Sequence, residues 1–485
     1  MKLLLRGHDD RYAVEQLQLA LFPDEPMEPV DAPFSGDGAV SSLHVGKTWL
    51  TATAELTLHG KTVRAARRLR AERADVPARR RLLQNAYYDA AVQLRDPPEW
   101  GSLSGVRPTK LTTRCLLSGG TAADADRLLR ERYHVSPSRR QLCVEASLAT
   151  VEAVRRLEPN DVSVYLGIPF CPSRCVYCSF VSASTEKTAA LLPQYLDALL
   201  RETEQVGRLL AASGRRVRTL YIGGGTPTTL SAQQLRRLTD AIRTHFDLSG
   251  LIEYTVEGGR PDTLDDEKLR VLREGGCDRV SINPQTMNDA VLRAVGRRHT
   301  AAQTVAAYEA ARRAGFDGIN MDLIAGLPED TPASFAASLD AVLALEPSNI
   351  TVHTLALKRG AELAMRQLAL PSAGEVGQML QYAERALRGH GYAPYYLYRQ
   401  KYMSGSFENV GWCKPGYAGL YNIYMMEELH SILSLGGGAM TKINLPDGTL
   451  ERFHNPKFPQ QYLARLDDVL AQKACAFELL EQSEK

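Results

Sequence analysis

Three cysteines on one short stretch constrain this chain more than any other feature of its sequence. Cys171, Cys175 and Cys178 follow a short apolar run at residues 164–166, with three and then two residues between them. Cysteines at this spacing can converge on one metal centre, and no fourth cysteine lies nearby. A structural zinc site needs four ligands, whereas an iron–sulfur cube held by three thiolates keeps one iron open. The missing fourth ligand therefore favours a cube whose open iron binds a substrate or cofactor.

Two other interpretations of these cysteines remain open. The loop could be a zinc knuckle completed by a distant histidine, or the three cysteines could be unrelated buried thiols. Random cysteines rarely fall at this spacing when a chain of 485 residues holds only eight, which favours the cluster. The others stand singly, which argues against a disulfide framework or a second cluster: Cys115, Cys143, Cys277, Cys413 and Cys475.

Composition excludes several classes of protein. Apolar residues make up 44% and charged residues 24% of the chain, as in an ordinary globular protein. The net charge is +2, and the basic stretches at residues 64–73 and 79–81 are interpreted as solvated surface, so we expect no nucleic-acid partner. No stretch is apolar for long enough to span a bilayer, and the apolar run at the start is too short for a signal peptide. We therefore expect a cytoplasmic protein with reduced thiols.

Residues 1–157 are predicted to form an N-terminal α+β accessory domain. Periodicity predicts strands at residues 1–6, 43–56 and 61–66, a turn at His59 and Gly60, and helices at residues 12–22, 79–94, 122–133 and 139–157. The loop at residues 100–110 is rich in turn residues and basic groups. We interpret it as a tight connector, with a functional loop as the alternative.

From residue 160 to residue 360, short β-branched runs alternate with amphipathic helices. Strands are predicted at residues 162–168, 219–222, 253–257, 279–283, 318–324 and 349–357, and helices at 192–212, 232–244, 265–274, 301–314 and 332–345. This alternation implies a parallel sheet with right-handed crossovers, and so an α/β fold with a partial (βα)6 TIM-like barrel. Residues 361–485, with predicted helices at 373–390 and 459–472, are expected to form a small C-terminal cap that contacts the substrate.

Polar residues and glycines follow the predicted strands, at the end where parallel barrels collect their chemistry. A glycine triplet at residues 223–225 follows the second strand, and Glu257 closes the third. A buried glutamate without a partner is costly, which favours a ligand over a structural salt bridge there. The other candidates along this edge are Asn283, Gln285, Arg297, Asp322, Ala356, Lys358 and Arg359. Each could serve the fold alone, but together they predict a site.

These motifs resemble one family. The chain is similar to the oxygen-independent coproporphyrinogen III oxidase (dehydrogenase) family of radical S-adenosylmethionine (SAM) enzymes at residues 165–171 (YLGIPFC), 223–228 (GGGTPT), Gln285, Arg297 and 321–328 (MDLIAGLP). The loop at residues 100–110 and the segments at 395–401 and 407–411 resemble the HemZ-like branch of that family. The resemblance covers nearly the whole chain and implies the radical SAM barrel fold.

The resemblance also implies cofactors and the residues that hold them. Cys171, Cys175 and Cys178 would hold a 4Fe-4S cluster. The residues expected to contact the cluster-bound SAM are Tyr165, Gly224, Glu257 and Ala356. The positions expected beside a second SAM, as in the best-described branch, are Tyr177, Gly225, Thr226, Gln285, Arg297 and Asp322. A reduced protein of the flavodoxin or ferredoxin type would donate electrons.

The implied reaction is an oxidative decarboxylation that needs no oxygen. A 5'-deoxyadenosyl radical made from SAM takes a hydrogen atom from the β-carbon of a propionate, and loss of carbon dioxide and one electron leaves a vinyl group. Two such steps convert coproporphyrinogen III to protoporphyrinogen IX. We expect no catalytic residue beyond those at the cluster and SAM, because the cofactor does the difficult chemistry. The alternatives are a haem-binding chaperone of the same superfamily and an enzyme for another tetrapyrrole, for example in anaerobic haem degradation.

The sequence gives weaker evidence about the substrate than about the cofactors. One departure from the family lies near the cluster, where Gly167 replaces the usual histidine. A tetrapyrrole with four propionates needs several cations, for which the candidates are Lys358, Arg359, Arg399, Lys401 and Lys414. The aromatic candidates for walls around the macrocycle are Tyr395, Tyr396, Tyr398 and Trp412. A packed aromatic cap with solvated basic residues is the alternative interpretation of this segment.

Overall fold

The described part of the chain forms two compact units. The computed structural model describes residues 1–22, 25, 27–178, 183–356, 363, 368–400 and 404–482. The first unit comprises Met1–Val144 with Gly405–Phe407, and the second comprises Glu145–Ser404 with Glu408–Lys485. The three-part division of the sequence near residues 157–160 and 360 stays a prediction. Among the described helices, none combines the length and the apolar character needed to cross a membrane.

The first unit is built on one five-stranded mixed sheet. Its strands are β1 (Lys2–Arg6), β2 (Glu28–Val30), β3 (Gly38–Val45), β4 (Trp49–Leu58) and β5 (Lys61–Arg70). They lie in the order β2-β1-β3-β4-β5, and every second residue of β4 is buried against helices. The helices up to residue 154 are α1 (Arg11–Leu21), α2 (Val76–Ala91), α3 (Thr109–Leu117), α4 (Ala122–Tyr133) and α5 (Pro137–Val154), and the residues of α5 from Glu145 onward belong to the second unit.

Short turns join β3 to β4 and β4 to β5. The prediction of one strand at residues 43–56 is wrong, because β3 ends at Val45 and β4 begins at Trp49. The alternation of apolar residues continues on both sides of that short turn, so the pattern alone could not reveal it. The predicted turn at His59 and Gly60 is confirmed, since both residues have positive φ angles, of 48° and 79°, as a tight hairpin requires.

The loop at residues 100–110 packs within the first unit. Ser102 Oγ donates to Asn85 Oδ1 at 2.6 Å, and the Ser102 N–H donates to the carbonyl of Tyr133 at 2.7 Å. A Cβ on Gly101 would lie 2.1 Å from the same carbonyl oxygen. These contacts favour the interpretation of the loop as a tight connector.

The second unit is an α/β fold around an eleven-stranded sheet. Its strands in chain order are β6 (Asp161–Ile168), the short β7 (Phe170–Cys171) and β8 (Ala183–Ser184), β9 (Arg216–Gly224), β10 (Glu253–Gly259), β11 (Arg279–Ile282), β12 (Gly318–Ala325), β13 (Asn349–Thr354), β14 (Ala393–Tyr398), β15 (Asn409–Cys413), β16 (Ile432–Leu435), β17 (Met440–Asn444) and β18 (Leu450–His454). Its helices are α6 (Thr185–Thr188), α7 (Leu192–Ser213), α8 (Ala232–His245), α9 (Asp266–Glu274), α10 (Asp289–Ala294), α11 (Ala301–Arg313), α12 (Pro332–Ala344), α13 (Ala373–Gly389), α14 (Leu420–Glu427), α15 (Pro459–Ala464) and α16 (Leu466–Gln482).

The centre of this sheet is the predicted partial barrel. Strands β6, β9, β10, β11, β12 and β13 are neighbours in that order, and each adjacent pair is parallel. Helices cross over between them, as right-handed βαβ units require. Within the described residues β6 does not pair with β13, so the barrel is open. The α/β partial-barrel fold predicted from the strand–helix alternation is confirmed.

Residues after 360 extend both edges of the barrel sheet. On one side β15 pairs antiparallel with β13, and β14 pairs with β15. On the other side β16 pairs parallel with β6, and β17 and β18 continue the sheet. The region expected as a cap therefore contributes strands to the barrel sheet as well as helices.

Alternate residues of the parallel strands face the two sides of the sheet, which differ in polarity. On β12, Met321 and Leu323 are fully buried, whereas Asn320 and Asp322 line the inside of the open barrel. His353 on the neighbouring β13 also faces inward. The interior is consequently polar toward the carboxyl ends of the strands, while the opposite side of the sheet is apolar.

Candidate cluster and cofactor site

A cavity of about 370 Å³ lies at the carboxyl ends of the parallel strands. Its volume falls within the range of about 300–1,000 Å³ that small-molecule sites occupy. All three cysteines line it. So do most of the residues expected to contact SAM, namely Tyr177, Gly224, Gly225, Thr226, Glu257, Gln285, Arg297, Asp322 and Ala356. Tyr165 does not belong to the described lining.

The protein's own backbone fixes the cysteine loop. Cys171 ends β7, which pairs in parallel with β8. The Val176 N–H donates to the carbonyl of Val295 at 3.1 Å, and Ser173 Oγ donates to the carbonyl of Gly296 at 3.1 Å. Both acceptors follow α10, so the loop is attached to a distant part of the barrel. This attachment holds the cysteines on one wall of the cavity.

The cysteines suit an iron–sulfur cube better than a single metal ion. Within the described ranges, no three His, Cys, Asp or Glu side chains lie close enough together to bind one ion. In a cube each thiolate binds a different iron, so the ligands of a cube lie farther apart than the ligands of one ion. The three thiols line one cavity and can therefore hold one cluster between them.

The glycine run after β9 lets two backbone segments approach closely. The Gly225 N–H donates to the carbonyl of Ile168 at 2.8 Å, and the Thr226 N–H donates to the carbonyl of Phe170 at 2.6 Å. A Cβ on Gly225 would lie 2.4 Å from the Phe170 carbonyl oxygen, and Gly224 has a φ angle of +113°. Side chains at these two positions would push the strand end away from the cysteine loop.

Gln285 has an unusual backbone and an unsatisfied side chain. Its φ angle is +70°, a left-handed conformation that non-glycine residues rarely adopt. Two backbone bonds enforce it: the Gln285 N–H donates to the carbonyl of Asp322 at 2.9 Å, and its carbonyl accepts from the Ile324 N–H at 3.0 Å. The side-chain Oε1 is buried and has no hydrogen-bond partner. Strain and a buried acceptor together indicate a ligand that supplies an N–H or O–H.

Glu257 is a half-buried carboxyl near the end of β10. Burial, and then the negative charge of Asp322, raise the pKa of Glu257 to about 7. The Tyr221 hydroxyl and the Gly224 N–H donate to it and oppose that shift. A Cβ on Gly223 would lie 2.8 Å from Glu257 Oε2, so the absence of a side chain there leaves room for the carboxyl. Glu257 is thus poised between its neutral and charged forms near neutral pH.

Asp322 is paired with a histidine that the sequence interpretation did not select. Its Oδ1 accepts from Asn320 Nδ2 at 2.7 Å, and its Oδ2 lies 3.6 Å from His353 Nε2. Burial alone would raise the pKa of Asp322, but the hydrogen bond and charge of His353, with Asn320, hold it below its usual value. A period-two count along the predicted sixth strand would have placed Thr351 and His353 on the same inward face.

Arg297 is buried beside the cysteine loop. Its Nη2 donates to the carbonyls of Gly259 at 3.2 Å and Asn283 at 2.5 Å, and its Nη1 donates to the Tyr177 hydroxyl at 3.3 Å. The remaining Nε–H is buried without a partner, so it can donate to a ligand. A second buried arginine, Arg260, lines the same wall. The sequence interpretation missed it, although it directly follows the glycines at the end of β10.

Tyr165 and Gly167 lie behind the cavity wall. The Tyr165 ring stacks on Tyr221 and Tyr421, with centroids 6.2 and 6.3 Å away, and Tyr221 is the ring that reaches the cavity. A Cβ on Gly167 would lie 3.2 Å from the carbonyl oxygen of Gly437 and 3.4 Å from the Tyr165 ring. The glycine-rich turn after β16 thus takes up the space in which a histidine side chain would begin.

The far wall of the cavity contains half of the aromatic candidates. Tyr396 and Tyr398 line it. Tyr395 does not belong to the described lining and packs edge-on against Tyr396, with ring centroids 4.8 Å apart, and Trp412 on β15 is buried with Arg388 over its ring at 5.4 Å. Four further residues that the sequence interpretation missed complete this wall, namely Gln400, Asn409, Asn422 and Met426.

The cations proposed for the propionates are not brought together on the described wall. Lys414 pairs with Glu346 at 3.6 Å and, like Arg399, does not line the cavity. Lys358, Arg359 and Lys401 lie outside the described residues. The arginines of the described lining all lie near the cysteine loop: Arg174, Arg260 and Arg297.

Similarity to known proteins agrees with this geometry. Residues 165–342 match the Radical SAM superfamily. The chain is 40% identical over 382 residues to the oxygen-independent coproporphyrinogen-III oxidase-like protein HemZ of Bacillus subtilis, covering 77% of this chain and 76% of that protein. It is 34% identical over 286 residues to the heme chaperone HemW of Lactococcus lactis, covering 58% and 69%. It is 39% identical over 240 residues to the oxygen-independent coproporphyrinogen III oxidase of Pseudomonas aeruginosa, covering 48% and 51%.

A solved structure supports the same assignment. Coproporphyrinogen III oxidase HemN from Escherichia coli, a radical SAM enzyme, superposes with a TM-score of 0.53 at 28% identity, covering 67% of this chain and 73% of that chain. A 4Fe-4S cluster and SAM are accordingly the cofactors of this protein. The chain belongs to the radical SAM superfamily and, within it, to the family of oxygen-independent coproporphyrinogen III oxidase-like proteins.

Proposed function

We propose that this protein converts coproporphyrinogen III to protoporphyrinogen IX by anaerobic oxidative decarboxylation of two propionates. The supporting observation is one continuous cavity that extends from the cysteine loop to the wall formed by Tyr396 and Tyr398. The bound cofactors would supply the radical that takes a hydrogen atom from the propionate β-carbon. The chain itself orients SAM, positions the macrocycle and excludes water.

Polar groups on the cavity wall suit the polar ends of SAM. Gln285 Oε1 and the Glu257 carboxylate can accept from its amino group or its ribose hydroxyls. The free Nε–H of Arg297 can donate to its carboxylate. A second SAM would be bound by the residues that the resemblance implies, which include Tyr177, Gly225 and Asp322. Equilibrium binding of SAM to the reconstituted protein would give the stoichiometry.

The macrocycle is proposed to lie against the far wall. Tyr396 is buried and Tyr398 half-buried, with ring planes 9° apart and centroids separated by 6.2 Å, and they offer a flat apolar surface to a flat ligand. Lys358, Arg359 and Lys401 are proposed as partners for the propionates because they adjoin the described wall in sequence. A reduced protein of the flavodoxin or ferredoxin type is proposed as the electron donor.

Anaerobic turnover tests this function. The protein is reconstituted with iron and sulfide, supplied with SAM, a reductant and coproporphyrinogen III, and assayed for 5'-deoxyadenosine and for a vinyl-containing product. A Cys175→Ala variant is the control for the cluster. If 5'-deoxyadenosine forms while coproporphyrinogen III is unchanged, the proposed substrate is wrong and the radical SAM activity stands.

A heme chaperone is the second candidate function, and one observation favours it. His353 lines the cavity, and histidine is the commonest protein ligand of haem iron in globins and peroxidases. The relative in Lactococcus lactis is named a heme chaperone. This function predicts a shifted Soret band on haem addition, its loss in a His353→Ala variant, and no consumption of coproporphyrinogen III. An enzyme for another tetrapyrrole would instead give a product of different mass, heavier if a methyl group were transferred.

A further inference from the structure

Two buried arginines converge on the sulfur of Cys175. Arg260 Nη1 lies 3.8 Å from Cys175 Sγ, and Arg297 Nη1 lies 4.0 Å from the same atom. The two arginines are only 4% and 5% exposed. Solvent and salt therefore screen their charges weakly, and their fields act on the cysteine loop at nearly full strength.

Other bonds hold each guanidinium in place. Nη1 and Nη2 of Arg260 both donate to Ser173 Oγ at 3.2 Å, and its Nε and Nη2 bond to Asp262 at 3.2 and 3.4 Å. Arg297 is anchored by the backbone carbonyls of Gly259 and Asn283. Since Ser173 belongs to the cysteine loop, Arg260 joins that loop to the end of β10. Neither charge can swing away from the sulfur without breaking several bonds.

The charges beside Cys175 do not cancel. Among the described residues that touch the Arg260 guanidinium, Asp262 supplies the negative charge. His299 Nδ1 lies 3.8 Å from Asp262, but burial and then Arg297 lower the pKa of His299 to about 3, so its ring is neutral. The two arginines thus outweigh the single carboxylate, and one positive charge remains to face the thiolate.

We propose that Arg260, acting with Arg297, raises the reduction potential of the cluster that Cys175 helps to hold. Reduction adds one electron and therefore one negative charge to the cluster and its thiolates. A fixed positive charge within a few ångströms stabilises the reduced form more than the oxidised form, and hydrogen bonds to the sulfurs act in the same direction. The proposal rests on the family's cofactor and not on the proposed substrate, so a failed decarboxylation assay would leave it standing.

Two substitutions of opposite charge test this proposal. Each variant is reconstituted anaerobically, and the midpoint potential of its cluster is measured by titration with dithionite, followed by electron paramagnetic resonance of the reduced form. Arg260→Gln removes a positive charge and should shift the potential to a more negative value. Asp262→Asn removes the compensating negative charge and should shift it to a more positive value. Arg260→Lys, which keeps the charge, should stay closer to the wild type than Arg260→Gln.

Control variants distinguish a shift in the midpoint potential caused by the arginine charge from one caused by loss of support for the cysteine loop. Ser173→Ala removes the contact between Arg260 and the loop but no charge, so its shift should be smaller than that of Arg260→Gln. Arg298→Gln removes an arginine whose side chain is 62% exposed and pairs with Glu186, and it should leave the potential unchanged. Shifts of the same sign in Arg260→Gln and Asp262→Asn, or no shift in either, would overturn the proposal. If Arg260→Gln binds no iron, the sign of the Asp262→Asn shift decides.

Discussion

Two single residues of this cavity carry polar groups that are held partly or wholly away from water. Gln285 Oε1 is without a partner, and the Glu257 carboxyl is desolvated beside a second acidic group, Asp322. Both cost free energy in the unliganded fold. Such groups persist in a fold when they bind a ligand. Replacing each of them should therefore change the free energy of unfolding by an amount that can be measured.

Glu257→Gln should change how the stability of the apo-protein depends on pH. The pKa of Glu257 rises from 4.5 to about 7 on folding, so the folded state binds a proton more tightly than the unfolded state. The contribution of Glu257 to the free energy of unfolding is therefore greatest below pH 4.5 and is lost as pH rises through 7. The free energy of unfolding changes by about 3 kcal/mol over this range. In urea unfolding the variant should match the wild type near pH 5 and be more stable at pH 8. A stability difference that is the same at both pH values would contradict this.

Gln285→Met should separate stability from SAM binding. The substitution keeps the length of the side chain and removes an unsatisfied buried acceptor, so the free energy of unfolding should stay the same or rise by up to about 1 kcal/mol. The affinity of the reconstituted protein for SAM should fall about tenfold, the loss expected for one good hydrogen bond. Urea unfolding and calorimetric titration measure the two effects. An unchanged affinity for SAM would show that Oε1 does not contact this cofactor.

At the scale of elements, a buried ion pair attaches the strands after residue 430 to the barrel. Glu202 on α7 accepts from the Gly436 N–H at 2.8 Å and from the Tyr462 hydroxyl at 2.6 Å. Lys473 on α16 lies 3.3 Å from Glu202 and donates to the carbonyl of Ser434 at 2.6 Å. The network thus holds the glycine turn that packs against β6, next to the cysteine loop.

Lys473→Met should destabilise the protein strongly, because it leaves the Glu202 charge buried without its partner. The expected loss is about 3–5 kcal/mol of the free energy of unfolding. Adding Glu202→Gln removes that charge and should recover most of the loss, since an amide keeps an acceptor for the Gly436 N–H. Denaturant unfolding of both variants checks the prediction. Additive losses in the double variant would mean that the pair contributes nothing beyond its separate contacts.

Local patterns predicted the elements of the barrel and many of the residues that line the candidate cavity. Strand–helix alternation located all six parallel strands, and the strand ends located Glu257, Gln285 and Asp322. The pairing of β16 with β6 could not be predicted, because it joins segments far apart in sequence and no local pattern encodes a partner. The same limit applies to Gly167. The reason for a glycine at this position is visible only in the fold, where the turn after β16 lies beside it.

At the scale of the whole second unit, one sheet carries both the cofactor end and the far wall of the cavity. The six parallel strands bring the cysteine loop and the residues predicted to contact SAM to one end of the sheet, while β14 and the start of β15 supply Tyr398 and Asn409 to the lining. The cofactors and the proposed substrate are thus assigned to different parts of the same sheet. The family assignment describes the first part, and the proposed substrate depends on the second.

Isotope transfer is the most direct test of the central claim. Coproporphyrinogen III deuterated at the β-carbons of its propionates is supplied anaerobically to the reconstituted protein with SAM and a reductant. We expect deuterium to appear in 5'-deoxyadenosine and the tetrapyrrole to lose carbon dioxide twice to give two vinyl groups. Unlabelled 5'-deoxyadenosine together with unchanged coproporphyrinogen III would contradict it.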